Sequence, residues 1–543
     1  MATFGLDNRF VRKLVDELDV THIRNDQASD FFLLPQLDAI YNHCGDKLKR
    51  LVAAKLSSSS YGPKPPIEME IPKGARVSAR TASIIGPNYF RPGSTLLPED
   101  RVVYHFMAQE AEGVIERALD RSKVFSNKPL SRAGEGFASA SSQWRLLKDA
   151  VEAAVKSGKY KVALKCDISQ YFFGINQHEL VNQLEHQGLA PELVKFTEKF
   201  LSSLTLDRSY RGIIQGLYAS DLLGNGYLSA VDEFISDEGC VHFRYVDDMY
   251  LLFETSEDFR SFFPRFVKKL RNYDLSLNES KTFAAAPLAL LREETELDKA
   301  IAAAKKEAAE KLTDFEEIEV DGEYGDTFID IMEIPPEEDE VELEATLAIF
   351  NSLDDFKGDE KDRAEAFCLG IFRRAADPVA IDYVVKRWFR HPDKARDYAL
   401  YLNRFSGDAE HVDSIDKMIM ASADGMIEYQ WVWAAFMMRR FPSITPDLLI
   451  RAVNMQRDGA QSDVVRSLLT YSVCSHGSAQ RKKEVRDGYG SAPLLVQLAI
   501  IHCGKHFTSG ERSALMKTAE AHGEIQALMC EAFKAEQRAS AAT

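Results

Sequence analysis

No stretch of this chain reaches the roughly 20 consecutive apolar residues that span a bilayer, so a membrane helix is not expected. Cysteine is sparse, with seven residues at positions 44, 166, 240, 368, 474, 503 and 530 and no CxxC among them. That spacing argues against a zinc site or a disulfide framework and points to a reducing cytoplasm. Met1 to Val20 carries charges throughout its apolar positions, so a signal peptide is not expected. Positive charge is short overall, with 67 Lys and Arg against 84 Asp and Glu over 543 residues, a net charge of −17. Taken alone, that balance counts against a nucleic-acid partner. The deficit is uneven: residues 1–290 hold 36 basic against 37 acidic residues, and residues 291–543 hold 31 against 47. A near-neutral first half can still present a local basic groove, because the local field rather than the sum steers a polyanion.

What is present falls into blocks. Residues 1–60 read as helical, with Phe10, Val11, Leu14 and Leu18 at helical spacing. From residue 61 to 98 the chain is rich in Pro, Gly and short β-prone runs. Helices are expected over 101–122, 142–157, 178–204, 219–236 and 257–272. Val162, Leu164 and Cys166 alternate with Ala163, Lys165 and Asp167, which predicts a strand. Val241, Phe243 and Tyr245, then two aspartates, then Met249, Leu251 and Phe253 predict a strand, a tight turn and a strand with acids at the tip. Residues 294–312 read as a helix. No basic residue lies between Lys311 and Lys357, and residues 314–344 hold 15 acids, which reads as a solvated linker. From 345 onward helix follows helix, as expected of paired helices stacked into a solenoid. The closing EQRASAAT is expected to lack structure.

Three segments hold the polar groups suited to chemistry: KCDISQYFFGI, RGIIQGLYASDLLGNGYL and FRYVDDMYLLF. A strand-end Asp167 beside a hairpin-tip Asp247–Asp248 offers hard oxygen donors for two Mg²⁺ ions roughly 4 Å apart. Such a pair suits the attack of a hydroxyl on a nucleoside triphosphate.

In order and content these segments resemble the palm motifs of reverse transcriptases. The first spans Asp167 to Phe172. The second contains Gly212, Gln215, Gly216, Ser220, Asn225, Tyr227 and Leu228, with Ile214 where the family usually has proline. The third is Tyr245, Val246, Asp247 and Asp248, and the next Leu277, Asn278, Lys281 and Thr282. The likeness covers roughly residues 65–290, and IPKGAR (71–76) and EDRVV (99–103) resemble the preceding fingers region. It implies that Asp167 and Asp247 ligate both ions, Mg²⁺ or Mn²⁺, with Asp248 assisting and Ile168 offering its carbonyl. Phe172 would lie under the incoming sugar and exclude a 2′-hydroxyl. Gln215 and Gly216 would pack against the nascent base pair. Lys73 and Arg76, or alternatively Arg80, would grip the triphosphate. Lys281 would protonate pyrophosphate or neutralise charge, and Tyr245 would support the primer end. The implied partners are dNTPs, a DNA product and an RNA template, with no membrane.

The expected fold class is α+β. A helical segment (1–60) precedes fingers and palm (61–293), a helix with an acidic linker (294–344), and an all-α, HEAT-like repeat domain (345–543). Without an RNase H pattern or a basic maturase region, this order resembles the abortive-infection and other defence-associated bacterial reverse transcriptases. That resemblance implies an antiphage role, a homo-oligomer, and in some members template-free synthesis primed from a tyrosine. Copying a dedicated noncoding RNA is an alternative, and a non-catalytic nucleic-acid scaffold or sensor is another of a different class.

Overall fold

The computed structural model describes residues 4–27, 30–77, 87–130, 136–205, 211–291, 296–312, 314–321, 327–334 and 337–542. The chain divides into two compact units: Met1–Leu291 with Gly459–Thr543, and Arg292–Asp458.

The first unit is built around a four-stranded antiparallel sheet. Its strands are β3 (Val162–Asp167), β4 (Val241–Tyr245), β5 (Asp248–Phe253) and β6 (Phe283–Ala285), in the order β4-β5-β3-β6. The period-two alternation predicted for β3 divides its residues between two faces. Ala163 and Leu252 face helix Ala140–Lys156, packing with Leu147, Val151 and Val155. On the opposite face Phe253 meets Phe262 of helix Ser256–Asn272 at 5.3 Å, and Phe262 stacks at 6.0 Å on Phe234 of helix Tyr218–Asp237. Leu164, Cys166, Met249 and Leu251 are buried there. The sheet is thus covered on both faces.

Ahead of the palm lie helices Asn8–Glu17, Val20–Gln27 and Pro35–Ser57. A two-stranded sheet of β1 (Ile67–Arg76) and β2 (Asn88–Thr95) follows. The pairing of β1 and β2 shifts register between Pro72 and Arg76. The helix expected over 178–204 is two helices, Gln177–His186 and Pro191–Leu204. Gly188, at φ +104, ends the first, and Pro191 opens the second, where its missing N–H costs nothing.

The last 85 residues do not continue a separate helical domain from 345, as composition suggested, but complete the first unit. Helix Glu524–Ala542 packs on Pro35–Ser57. Lys55 reaches both Glu99 and Glu524 at 2.6 Å, and the Cys44 thiol lies 3.5 Å from the Leu528 carbonyl. The Gln36 side chain donates to Ser467 and accepts from Tyr471, each at 3.2 Å. The terminal helix runs to Ala542 rather than fraying over EQRASAAT. Helical periodicity shows that a helix has an apolar face, not which distant segment covers it.

The second unit begins with helix Glu296–Leu312. Where a linker was expected, β7 (Asp314–Asp321) and β8 (Thr327–Ile334) form an antiparallel hairpin. Ile318 and Val320 alternate with acids, a strand pattern that the density of charge obscured. Helices then follow from Glu338–Asn351 to Pro446–Arg457. In helix Glu428–Met438 every residue from Tyr429 to Met438 is buried, so this aromatic run is core. This unit holds 21 basic against 39 acidic residues, whereas the first holds 46 against 45. Among the described residues no helix is long and apolar enough to cross a membrane.

Met529 is fully buried in the terminal helix. Met529→Ala is expected to lower the unfolding free energy of the first unit by roughly 2–5 kcal/mol. Denaturant titration checks this, and a loss well below ~1 kcal/mol would mean that the returning helix is not part of the core.

Candidate active site

Strands β3 and β5 pair in a register that sets Asp167 directly opposite Asp248, and β4 ends with Tyr245 opposite Asp248. Directly opposed residues in an antiparallel pair have Cβ atoms roughly 5 Å apart, on the same face. Two residues, Val246 and Asp247, make the whole turn between β4 and β5. Val246 has φ +54, the left-handed region that a β-branched residue rarely enters, at a cost of about 1–3 kcal/mol. The predicted acidic tip therefore exists, and its turn is strained.

Asp167 is held from behind. It accepts from Asn278 Nδ2 at 2.9 Å and lies 3.3 Å from Lys281 Nζ, while its carbonyl accepts from the Asn278 amide at 2.8 Å. Burial, then the neighbouring Asp167 charge, pushes the Asp247 carboxyl up to about 6. Burial also raises Asp248, with Asp167 adding to the effect and Lys165 opposing it. Like charges gathered in a partly dry site hold protons more tightly than carboxylates in water. A bound cation would relieve both the repulsion and the desolvation. The donors are carboxylate oxygens without imidazole or thiolate, the set that hard Mg²⁺ or Mn²⁺ accepts. The Ile168 carbonyl accepts no hydrogen bond from the described residues, so a further hard oxygen stands next to Asp167. Among the described residues the one group whose ligand atoms all lie within 4.8 Å of one another is Asp408, Glu410 and His411 in the second unit; the Asp167, Asp247 and Asp248 oxygens are set wider apart than that. The Asp408 group is largely exposed, and Asp408 caps helix Ala409–Ser422 by accepting from the Glu410 amide.

Phe172 lies half-buried in the short helix Tyr171–Gly174 that follows β3, tilted against Tyr171 at 5.1 Å. Its carbonyl accepts from the Ile213 amide at 2.9 Å, and the Tyr171 hydroxyl donates to the Gly224 carbonyl at 2.6 Å. The Asp167 segment and the Gly212–Gly216 loop are thereby tied together. Gln215 and Gly216 lead into helix Tyr218–Asp237. Gly216, at φ +89, has Phe31 so close that a Cβ would lie 2.7 Å from the ring. Lys73 is exposed and Arg76 ends β1, both on the separate two-stranded sheet rather than the palm sheet. Arg80 lies outside the described residues. Tyr245 is half-buried and meets Trp144 edge-on at 5.1 Å.

Several supporting residues escaped the sequence reading. Arg101, fully buried, donates to Asp26 and Asp30 at 2.6 Å each, and the Tyr218 amide donates to Asp26 at 3.0 Å. The start of helix Tyr218–Asp237 is thus anchored to helix Val20–Gln27. Beside Gly216 a cavity of about 220 Å³ opens, lined in part by His22, Asp26, Tyr218 and Asp221, and burial lifts the Asp221 carboxyl to about 7. Ser126, Asp232 and Arg244 surround the acidic turn from beneath. For Asp232 the available signal was a charged residue at a position that helical spacing, with Leu228, Val231 and Ile235, assigns to the core; Arg244 falls on the polar phase of its strand, so alternation gave no such signal.

Residues 88–311 match the family profile described as reverse transcriptase (RNA-dependent DNA polymerase). The chain carries a reverse transcriptase domain. It is accordingly an enzyme, a nucleotidyltransferase of the RNA-dependent DNA polymerase kind. The domain includes β2, the whole palm sheet, and Asp167, Asp247 and Asp248. No curated protein matches the chain in sequence. Among solved structures, telomerase from Candida albicans in complex with a TWJ fragment of telomeric RNA is 12% identical with a TM-score of 0.29; the match covers 67% of this chain and 66% of that one. Apo telomerase from Candida tropicalis is 8% identical with a TM-score of 0.28, covering 85% and 71%.

The raised Asp247 carboxyl has a sign that stability reports. Its proton is bound more tightly in the folded reverse transcriptase domain than in the unfolded chain. Its contribution is therefore favourable at low pH and is lost as pH rises through about 6. Asp247→Asn is expected to raise the melting temperature at pH 8 without divalent cation, by an effect of ~1–3 kcal/mol. It is also expected to shrink the further stabilisation that added Mg²⁺ gives the wild type. Thermal scans with and without Mg²⁺ check both.

Proposed function

We propose that this chain synthesises DNA from dNTPs with two divalent cations, Mg²⁺ or Mn²⁺, held by Asp167, Asp247 and Asp248 with the Ile168 carbonyl. The observation that carries the reading is the register of β3 and β5, which opposes Asp167 and Asp248 at the end of the sheet with Asp247 in the adjoining turn. When bound, such a pair acidifies the attacking hydroxyl and offsets charge on the α-phosphate and pyrophosphate. Asn278 and Lys281 hold the Asp167 carboxylate, and a bound cation would take over the charge balance that Lys281 provides there. Lys281 is then placed to neutralise or protonate the leaving pyrophosphate. The Phe172 ring, buttressed by Tyr171, excludes a ribose 2′-hydroxyl by contact. Gln215 and Gly216 receive the nascent pair, Lys73 and Arg76 bind triphosphate oxygens, and Tyr245 supports the primer terminus. The near-neutral charge of the first unit is compatible with a nucleic-acid groove, since most of the acid lies in the other unit.

The reading extends to an antiphage enzyme of the abortive-infection kind, with RNA-directed or template-independent synthesis. The run of helices from Glu338–Asn351 to Pro446–Arg457 that follows the polymerase domain in the chain supports it.

Purified full-length chain with Mg²⁺ and labelled dNTPs is expected to yield polymer. Asp167→Asn and Asp247→Ala are each expected to lose on the order of 10³-fold or more of that activity. Equal product from wild type and either variant would refute the assignment. Phe172→Ala is expected to raise ribonucleotide use relative to dNTP use on the order of ten- to a hundredfold, read by competition. Sequencing of copurifying nucleic acid separates copying of a dedicated RNA from template-free extension.

A further inference from the structure

The turn that carries Asp247 is held in an unfavourable backbone state, and the groups that hold it are buried. Among the described residues with positive φ, Val246 is the one that is β-branched. Two hydrogen bonds grip its peptide groups. The Val246 amide donates to Ser126 Oγ at 2.8 Å, and the Val246 carbonyl accepts from Arg244 Nη1 at 2.9 Å. Both gripping residues are 0% exposed.

These two are themselves fixed. Arg244 Nε donates to the Asp232 carboxylate at 2.9 and 3.1 Å, and Nη2 donates to it at 2.7 Å. Arg244 Nη1 also donates to Asn225 Oδ1 at 3.0 Å. Asn225 Nδ2 donates to the Ser126 carbonyl at 2.9 Å, and Ser126 Oγ donates to Asn225 Oδ1 at 3.2 Å. His242 Nε2 lies 3.3 Å from Asp232 Oδ1. Burial would push the Asp232 carboxyl up, but Arg244 and His242 overcome it and the net shift is down, so the pair stays ionised. The ring draws on three chain segments: the loop at Ser126, helix Tyr218–Asp237 and β4.

A buried ion pair is a poor source of net stability, since apolar residues of the same volume commonly do as well. What it does supply is directional constraint, and here every direction converges on one peptide unit. We infer that Arg244 and Ser126, backed by Asp232 and Asn225, are positioning residues that hold Val246 left-handed and thereby aim the Asp247 and Asp248 carboxylates at the cation site. They touch neither substrate nor cation, and they act through the Val246 backbone. The inference rests on the polymerase reading for its purpose, but its geometry can be tested without turnover.

Arg244→Gln leaves the buried Asp232 with His242 alone and endangers folding, so the decisive variants are Ser126→Ala and Arg244→Lys in the full-length chain. Three quantities are measured: Mn²⁺ affinity by electron paramagnetic resonance of the free ion, hydrogen exchange of the peptide spanning 241–248, and the melting temperature. Ser126→Ala is expected to weaken Mn²⁺ binding about tenfold and to lower kcat similarly, with dNTP KM changed by less than about twofold. The Val246 amide should lose protection while the melting temperature stays within a few degrees. Adding Val246→Gly to Ser126→Ala should recover part of the Mn²⁺ affinity, because glycine takes positive φ without strain. Arg244→Lys should resemble Ser126→Ala, as a point charge cannot reach Asp232, Asn225 and the Val246 carbonyl together. Wild-type Mn²⁺ affinity in both single variants, or no gain from Val246→Gly, overturns the inference. If wild type makes no polymer yet the Mn²⁺ pattern holds, the polymerase reading fails and the clamp stands.

Discussion

Gathering three carboxylates at the end of one sheet sets like charges against each other in a place where water is scarce. The rest of the first unit answers to that constraint. Backbone pairing fixes the Asp167–Asp248 opposition, so the two Cβ atoms stay close whatever the side chains do. The two-residue turn then puts Asp247 beside them, with a Val246 conformation that is itself unfavourable. Burial, and then the Asp167 charge, raise the Asp247 carboxyl. A cation at such a site would add relief of repulsion to the gain from coordination.

Two buried arginines hold this arrangement from opposite sides. Arg244 grips the acidic turn through Asp232 and Asn225. Arg101 joins Asp26 and Asp30, and through the Tyr218 amide on Asp26 it anchors the segment that follows Gly216. In each case a guanidinium, with several donors in a fixed plane, ties more than one chain segment at once, which a lysine could not do. Phe31 adds an apolar counterpart. Its ring fills the space left by Gly93 of β2 and Gly216, bringing the finger strands against the loop that precedes helix Tyr218–Asp237.

Charge is partitioned in the same spirit. The acidic excess of the chain resides in Arg292–Asp458, and the unit that carries the palm is close to neutral. A polyanion responds to charges within a Debye length of roughly 8–10 Å rather than to the net charge of a whole chain.

Local chemistry was legible in the residues themselves. The alternation around Asp167 and around Asp247–Asp248 determined strands and a tight turn, and the order of the motifs determined which acids should meet, because strand period and turn length are properties of short segments. What lay beyond reach was everything set by partners distant in the chain. Helical spacing after 345 could not reveal that residues 459–543 return to cover Pro35–Ser57, since an apolar face specifies burial but not its occupant. The acidic stretch after 313 hid a hairpin because its charge outweighed its alternation. Ser126, Asn225, Asp232 and Arg244 span 118 positions, and their meeting beneath Val246 was decided by tertiary packing alone, for hydrogen bonds among buried groups depend on positions in space that no local pattern encodes.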